Sequence, residues 1–343
     1  MSDAQDKSAP RRPRQSHGPW IDIHAHPGAC FALKGTPADL DSHLVGGDRS
    51  VGAIADIRTS EITVSSFSTV ADLAVIGFVP GGGLGSVREF EPGEALADHD
   101  RQLRAIGALA ERGLIELVSN ASDVERLHDG GDVGMLLTCE GGDFVEDDLA
   151  RLGRAHAAGA RSVTLVHYRQ GDVGDAQTSD PRHGGLSDLG RAIVVEMNRL
   201  GMVVDLAHAS MATTADALEV SAHPIVISHS HLASPGHDHP RLLTAKHAQM
   251  VADGGGLVGA WPSGVVCQTL DDYAHEICRL VDLLGVDHVA IGSDMDANYK
   301  PVLHAYPQFL ELAGLLGHRG LHAAEVDAIL GGNYLRVMRA VMG

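Results

Sequence analysis

With 343 residues, 44% of them hydrophobic, the chain has enough apolar material for a sizeable core and is an ordinary length for one α/β barrel. Its 45 acids against 26 bases give a formal net charge of −19, which repels polyanions and excludes nucleic acid and anionic membranes as partners. Cys30, Cys139, Cys267 and Cys278 are scattered and form no CxxC pair, so a reducing compartment and a cytoplasmic location are expected.

Residues 1–18 are rich in Arg, Pro, Ser and Gln. No apolar stretch follows Arg11, Arg12 and Arg14, which predicts a disordered tail and not a secretory signal. No run of about 18 apolar residues occurs elsewhere, so no membrane span is expected. From Trp20 onward, short apolar runs alternate with amphipathic stretches. Strands are predicted over 20–26, 62–69, 133–140, 162–168, 202–208, 224–230, 257–261 and 288–294. They are rich in β-branched residues and apolar on both faces, as strands of a buried parallel sheet are. Helices are predicted over 148–158, 187–200, 211–222, 244–252 and 270–284, with Gly201, Gly254 and Gly285 where C-terminal caps belong. A peripheral ninth strand fits 114–119. Such alternation implies a closed barrel or a large doubly wound sheet. Without a linker or a second core, residues 19–343 read as one domain, a single (β/α)8 TIM-type barrel.

Polar residues fall at the C-terminal ends of these apolar runs, the end where a barrel builds its active site. They are His24 and His26, Glu140, His167, His208, His229 and Asp294. His24 and His26 are two apart on a strand and point the same way, so both can reach one metal ion. Imidazole and carboxylate suit Zn²⁺. Glu140 costs several kcal/mol to bury unless it is ion-paired or metal-bound. As a ligand it could bridge two ions about 3.5–4 Å apart. His208 and His229 end neighbouring strands. His231 lies on the same face as His229, which is preferred for being nearer the apolar run. His237, His239 and His247 read as loop or surface residues. Asp294 is either a proton shuttle or a helix-capping or turn aspartate, and Asp296 reads as the more exposed of the two and the better candidate for the turn residue.

Seven stretches then match a known pattern. They are Asp22-Ile-His-Ala-His26, Thr138-Cys-Glu-Gly-Gly142, Val163-Thr-Leu-Val-His167, Val204-Asp-Leu-Ala-His208, Val226-Ile-Ser-His-Ser230, Ile291-Gly-Ser-Asp-Met-Asp296 and Gly331-Gly-Asn-Tyr-Leu-Arg-Val337. In them the chain resembles the membrane dipeptidase (renal dipeptidase, peptidase M19) family of the amidohydrolase superfamily. The resemblance implies two Zn²⁺ per chain, the first on His24 and His26, the second on His208 and His229, with Glu140 bridging. It implies that His167 contacts substrate and steadies the tetrahedral intermediate, that Arg241 holds the substrate's carboxylate, and that Asp294 is the acid–base group. The implied activity is hydrolysis of dipeptides or related small amides, with room for a D-residue at the C-terminal position, and a homodimer is the implied assembly.

There are departures. Strand one carries H-x-H where the family has H-x-D, Leu242 follows Arg241 where the family commonly has Asn, and residues 33–92 match poorly. The H-x-H also suits another amidohydrolase-type enzyme acting on a lactone, cyclic amide or phosphoester. A barrel that keeps metal only as a structural element is a third reading.

Overall fold

The computed structural model describes residues 17–32, 49–80, 82–237 and 239–343. The expected tail therefore lies outside the described residues, except for His17 and Gly18.

Eight parallel strands form a ring in sequence order: β1 (Trp20–Asp22), β2 (Ile62–Val70), β3 (Gly134–Glu140), β4 (Ser162–Thr164), β5 (Val203–Asp205), β6 (Val226–Ser230), β7 (Leu257–Ala260) and β8 (Val289–Ile291). The ring closes between β8 and β1. Ile23 N–H donates to Ile291 O (3.0 Å), Asp294 N–H to His24 O (2.9 Å), and His26 N–H to Met295 O (2.9 Å). The two-residue strand Glu116–Leu117 pairs outside the ring with Gly134 and Met135 of β3, where the peripheral strand was expected. The α/β barrel read from the alternation is the fold observed.

All eight strands are found, but most are shorter than predicted. The regular ladders stop at Asp22, Thr164, Asp205 and Ile291, two to four residues before the histidines and the aspartate expected at strand ends. There the chain leaves the pleat. His208 (φ 66°) and Asp294 (φ 53°) take left-handed backbone conformations that cost a non-glycine residue about 1–2 kcal/mol. Close strand approach explains two glycines: a Cβ at Gly259 would lie 1.8 Å from Ser228 O, and one at Gly292 1.9 Å from the same oxygen.

The five predicted helices form over Ala150–Ala157, Asp188–Leu200, Met211–Val220, Ala245–Asp253 and Leu270–Leu284. Ser187, Ser210, Thr244 and Thr269 cap four of them through side-chain oxygens. The described residues contain six further α-helices, among them Glu94–Glu111 and Asn333–Met342. No helix among the described residues is long and apolar enough to cross a membrane. Cys139, Cys267 and Cys278 form no disulfide.

His247 is not a surface residue as expected. The Thr244 cap starts its helix so that His247 faces inward, buried, with Nε2 2.7 Å from Thr214 Oγ1.

His99 in helix Glu94–Glu111 stacks on Phe144 at 3.8 Å and an interplanar angle of 7°. Neither of its ring nitrogens finds a hydrogen-bond partner among the described residues, and burial pushes its pKa down to about 3. A folded-state value below the unfolded one of about 6.5 contributes stability that is present above pH 6.5 and lost as pH falls towards 3. Between pH 7 and pH 4 this one group costs the fold about 3 kcal/mol. The variant His99→Leu is expected to lose correspondingly less stability over that interval, measured by urea unfolding at the two pH values. Equal losses in both proteins would remove His99 as the acid-sensitive group.

Candidate active site

The polar residues beyond the strand ends converge at one mouth of the barrel, on a single buried carboxylate. Glu140 ends β3. Its Oε1 lies 3.4 Å from His24 Nε2, 3.1 Å from His208 Nε2 and 3.6 Å from His229 Nε2. Its Oε2 lies 3.3 Å from His26 Nε2 and 3.6 Å from His167 Nε2. His24 stacks on His229 at 4.1 Å, and His208 Nε2 is 3.1 Å from His229 Nε2.

The surroundings decide which way these rings point and where their protons sit. His26 Nδ1 is 3.1 Å from Ser68 O in β2. A carbonyl only accepts, so Nδ1 carries the proton and Nε2 faces the cluster. Ser228 gives its one hydroxyl proton to Asp205 Oδ2 (2.6 Å). Its oxygen therefore accepts from His229 Nδ1 (3.1 Å), and His229 also presents Nε2. His167 Nδ1 donates to Asp72 Oδ1 at 2.6 Å, with the same result.

Burial pushes His208 and His229 well below 6.5, helped at His208 by the Arg241 charge and at His229 by His24. Both rings are thus neutral and offer lone pairs. Burial raises Glu140, but the facing His167 and His24 and the bond from His208 outweigh it and hold its pKa well below 4.5. Burial lowers His167, and the charges of Asp72 and Glu140 reverse this to about 9.

These residues suit a cation. His24 Nε2 and His26 Nε2 are buried without a hydrogen-bond partner among the described residues. Three groups bring their donor atoms within 4.8 Å of one another: His24, Glu140 and His229; His24, His26 and Asp294; and Glu140, His167 and His208. Imidazole nitrogens and carboxylate oxygens are the donor set that Zn²⁺ and similar ions take.

Around this cluster, Asp294 Oδ2 accepts from the indole N–H of Trp261 (3.1 Å), while Oδ1 faces His26 Nε2 at 3.5 Å. No helix starts at Asp294, so it is not a cap. Asp296 is the turn residue, with φ 67°, accepting from Gly28 N–H at 2.6 Å. Arg241 is 1% exposed. It donates from Nη1 to Gln177 Oε1 (2.7 Å), lies with Nη2 3.3 Å from His208 Nε2, and sits 5.4 Å over the Trp261 ring.

His24, His26, Glu140, His167, His208, His229, Arg241 and Asp294 are therefore all here. His231 is not, because β6 ends at Ser230 and the next ring turns outward: its Nδ1 donates to Leu232 O (2.9 Å) and lies 3.3 Å from Glu276.

Four participants were missed. Trp261 directly follows β7, but as a non-titratable residue it gives no signal of a polar strand end. Gln177 lies in a loop without periodicity, held by Asp175, whose carboxylate accepts from the N–H groups of Arg182, His183, Gly184 and Gly185. Asp205 ends β5 but sits in the middle of the apolar run 202–208, so it gives no signal as a strand end. Asp72, two residues past β2, is an acid at a strand end, and that signal could have found it.

Asp205 ties three strands beneath the site. It accepts from Thr164 Oγ1 (2.6 Å), Ser228 Oγ (2.6 Å), Ser228 N–H (2.8 Å) and Ala207 N–H (3.0 Å). Asp205→Ala leaves these donors buried and unpaired, and is expected to cost on the order of 3–5 kcal/mol. Urea unfolding measures it, and a loss under 1 kcal/mol (the net worth of about one ordinary hydrogen bond) would contradict the assigned role.

Comparison with known proteins gives the family and agrees with the fold. A sequence model of the membrane dipeptidase family (peptidase family M19) matches residues 84–342. Dipeptidase aclJ of Aspergillus oryzae (strain ATCC 42149 / RIB 40) is 34% identical over 234 residues, 64% of this chain and 55% of that protein. Dipeptidase verJ of Clonostachys rogersoniana is 32% identical over 257 residues, 72% of this chain and 66% of that protein. The matched stretch thus spans little more than half the length of the first relative. A metallo peptidase from Rhodobacter sphaeroides, solved with a phosphinate mimic of the dipeptide L-Ala-D-Ala, superposes with a TM-score of 0.76 at 19% identity, covering 95% of this chain and 99% of that one. An amidohydrolase from Pseudomonas aeruginosa gives 0.75 at 22% identity, with 95% and 97% covered. At these identities the solved structures share the fold.

Proposed function

The chain belongs to the membrane dipeptidase family, and from that membership we propose that it is a binuclear zinc dipeptidase acting on dipeptides or related small amides. The observation that supports this best is the convergence of five imidazoles on Glu140, beside a buried arginine and a tethered aspartate. In this reading His24 and His26 would hold one ion and His208 and His229 the other, with the Glu140 carboxylate shared between them. When bound, the ions supply Lewis acidity that activates water and polarises the scissile carbonyl.

The chain's own residues do the rest. Arg241 receives the substrate's free carboxylate through charge-assisted hydrogen bonds. Its burial and its bond to Gln177 fix the guanidinium, so little entropy is lost on binding. Trp261 engages Asp294 Oδ2 and leaves Oδ1 to take a proton from the attacking water and pass it to the leaving amine. His167 aims Nε2 into the same space and steadies the oxygen of the tetrahedral intermediate. As a metal ligand His26 would be a neutral ring where the family has an anion, so Glu140 and Asp294 are the carboxylates available to balance the cations. A C-terminal D-residue and a cytoplasmic homodimer extend the same reading.

Two measurements test it. Purified protein is expected to hold close to two zinc ions per chain, by analogy with two-metal hydrolases. Glu140→Ala is expected to lose metal and dipeptide hydrolysis together, and full activity in a metal-free preparation would overturn the proposal. For Arg241→Ala, KM for dipeptides should rise on the order of 100-fold while C-terminally amidated analogues change little. Equal losses on both substrate types would reject the carboxylate-binding role.

A further inference from the structure

Asp72 is fully buried and lies before residue 84, outside the segment that the family model matches. It follows β2 by two residues and reaches across to the chain beyond β4. Its two oxygens serve different purposes. Oδ1 accepts from His167 Nδ1 at 2.6 Å. Oδ2 accepts from the backbone N–H groups of Tyr168 (3.1 Å) and Arg169 (2.9 Å). The β4 ladder has ended at Thr164, so these two N–H groups have left the strand pairing, and a buried N–H needs an acceptor. One carboxylate therefore fixes both the ring of His167 and the backbone that carries it.

The neighbourhood keeps that carboxylate in place. Arg169 donates to Asp143 Oδ1 (2.7 Å) and Glu89 Oε2 (2.6 Å), so the neighbouring acid Asp143 has its own cation. Tyr168 packs edge-on against His167, with ring centroids 4.6 Å apart, and against His208 at 5.0 Å. The remaining freedom of the His167 ring is rotation about its own side-chain bonds, and the bond to Asp72 removes it. With Nδ1 tied down, Nε2 is aimed at Glu140 Oε2, 3.6 Å away.

We propose that Asp72 is the positioning residue of His167, setting the aim of Nε2 towards the reacting carbonyl. This rests on the reading of His167 as a substrate-contacting group. Partners of this kind typically govern about 10–100-fold in activity without touching the substrate. Asparagine keeps the shape of Asp72, but it has only one acceptor oxygen for three donors. Either His167 Nδ1 no longer donates to residue 72 or the two backbone N–H bonds are lost.

The zinc-loaded full chain is assayed with whichever dipeptide of a panel it hydrolyses fastest. Asp72→Asn is expected to lower kcat about 10–100-fold with KM within threefold, since the group held acts after binding. In a His167→Ala background, Asp72→Asn should change kcat/KM less than twofold. A purely structural role would lower both backgrounds alike, and that result overturns the proposal, as does an unchanged kcat in the single variant.

A second readout needs no turnover. Proton NMR of the wild-type protein should show a hydrogen-bonded ring N–H signal that disappears in His167→Ala, and also in Asp72→Asn. Its absence from the wild type overturns the proposal even if Asp72→Asn fails to fold. Failure of the wild type to cleave any dipeptide rejects the functional reading instead, and the NMR signal then decides the role of Asp72 alone.

Discussion

The whole site depends on the environment of one carboxylate. Glu140 is carried to the barrel mouth by a fully buried strand, where an unpaired anion is several kcal/mol out of balance. Five imidazoles face its two oxygens at 3.1–3.6 Å. Two of them, His208 and His229, are pushed towards neutrality by burial and do not answer that charge by taking up protons. Their lone pairs and the two carboxylates instead describe a cradle for cations, which is the basis of the zinc proposal.

The cradle is organised from outside. Ser68, Ser228 and Asp72 each occupy one ring nitrogen of a histidine, which leaves the other aimed inward. Asp205 in turn orients Ser228, and Trp261 orients Asp294. Outer partners of this kind set the direction and basicity of the groups that do chemistry. The left-handed turns at His208 and Asp294 belong to the same economy, because local strain is tolerated where neighbouring bonds over-determine a residue's place.

Much of this was legible in the sequence. The eight apolar runs located the eight strands, and polar residues at their ends marked the mouth. The seven family motifs extended that reading across most of the chain. Less legible were the places where strands stop. An apolar run such as 202–208 continues past the last paired residue, Asp205, and nothing in its composition says where the ladder ends. His247 was misjudged for a related reason, since the inward face of its helix depends on where the Thr244 cap sets the first turn. Residues 33–48 lie outside the described structure, so the departures from the family there carry no structural account.

What the sequence determined alone was the alternation of elements and the chemical identity of the site, because both are local properties of hydrophobic period and residue type. Which of two histidines enters the site was left to the tertiary structure. His229 and His231 are equivalent by spacing, and only the end of β6 at Ser230 turns one inward and the other towards Glu276. The partners Asp72, Trp261 and Gln177 were likewise decided by the fold. They lie 95, 33 and 64 positions along the chain from the groups they hold, and hydrogen bonds across such separations leave no periodic trace.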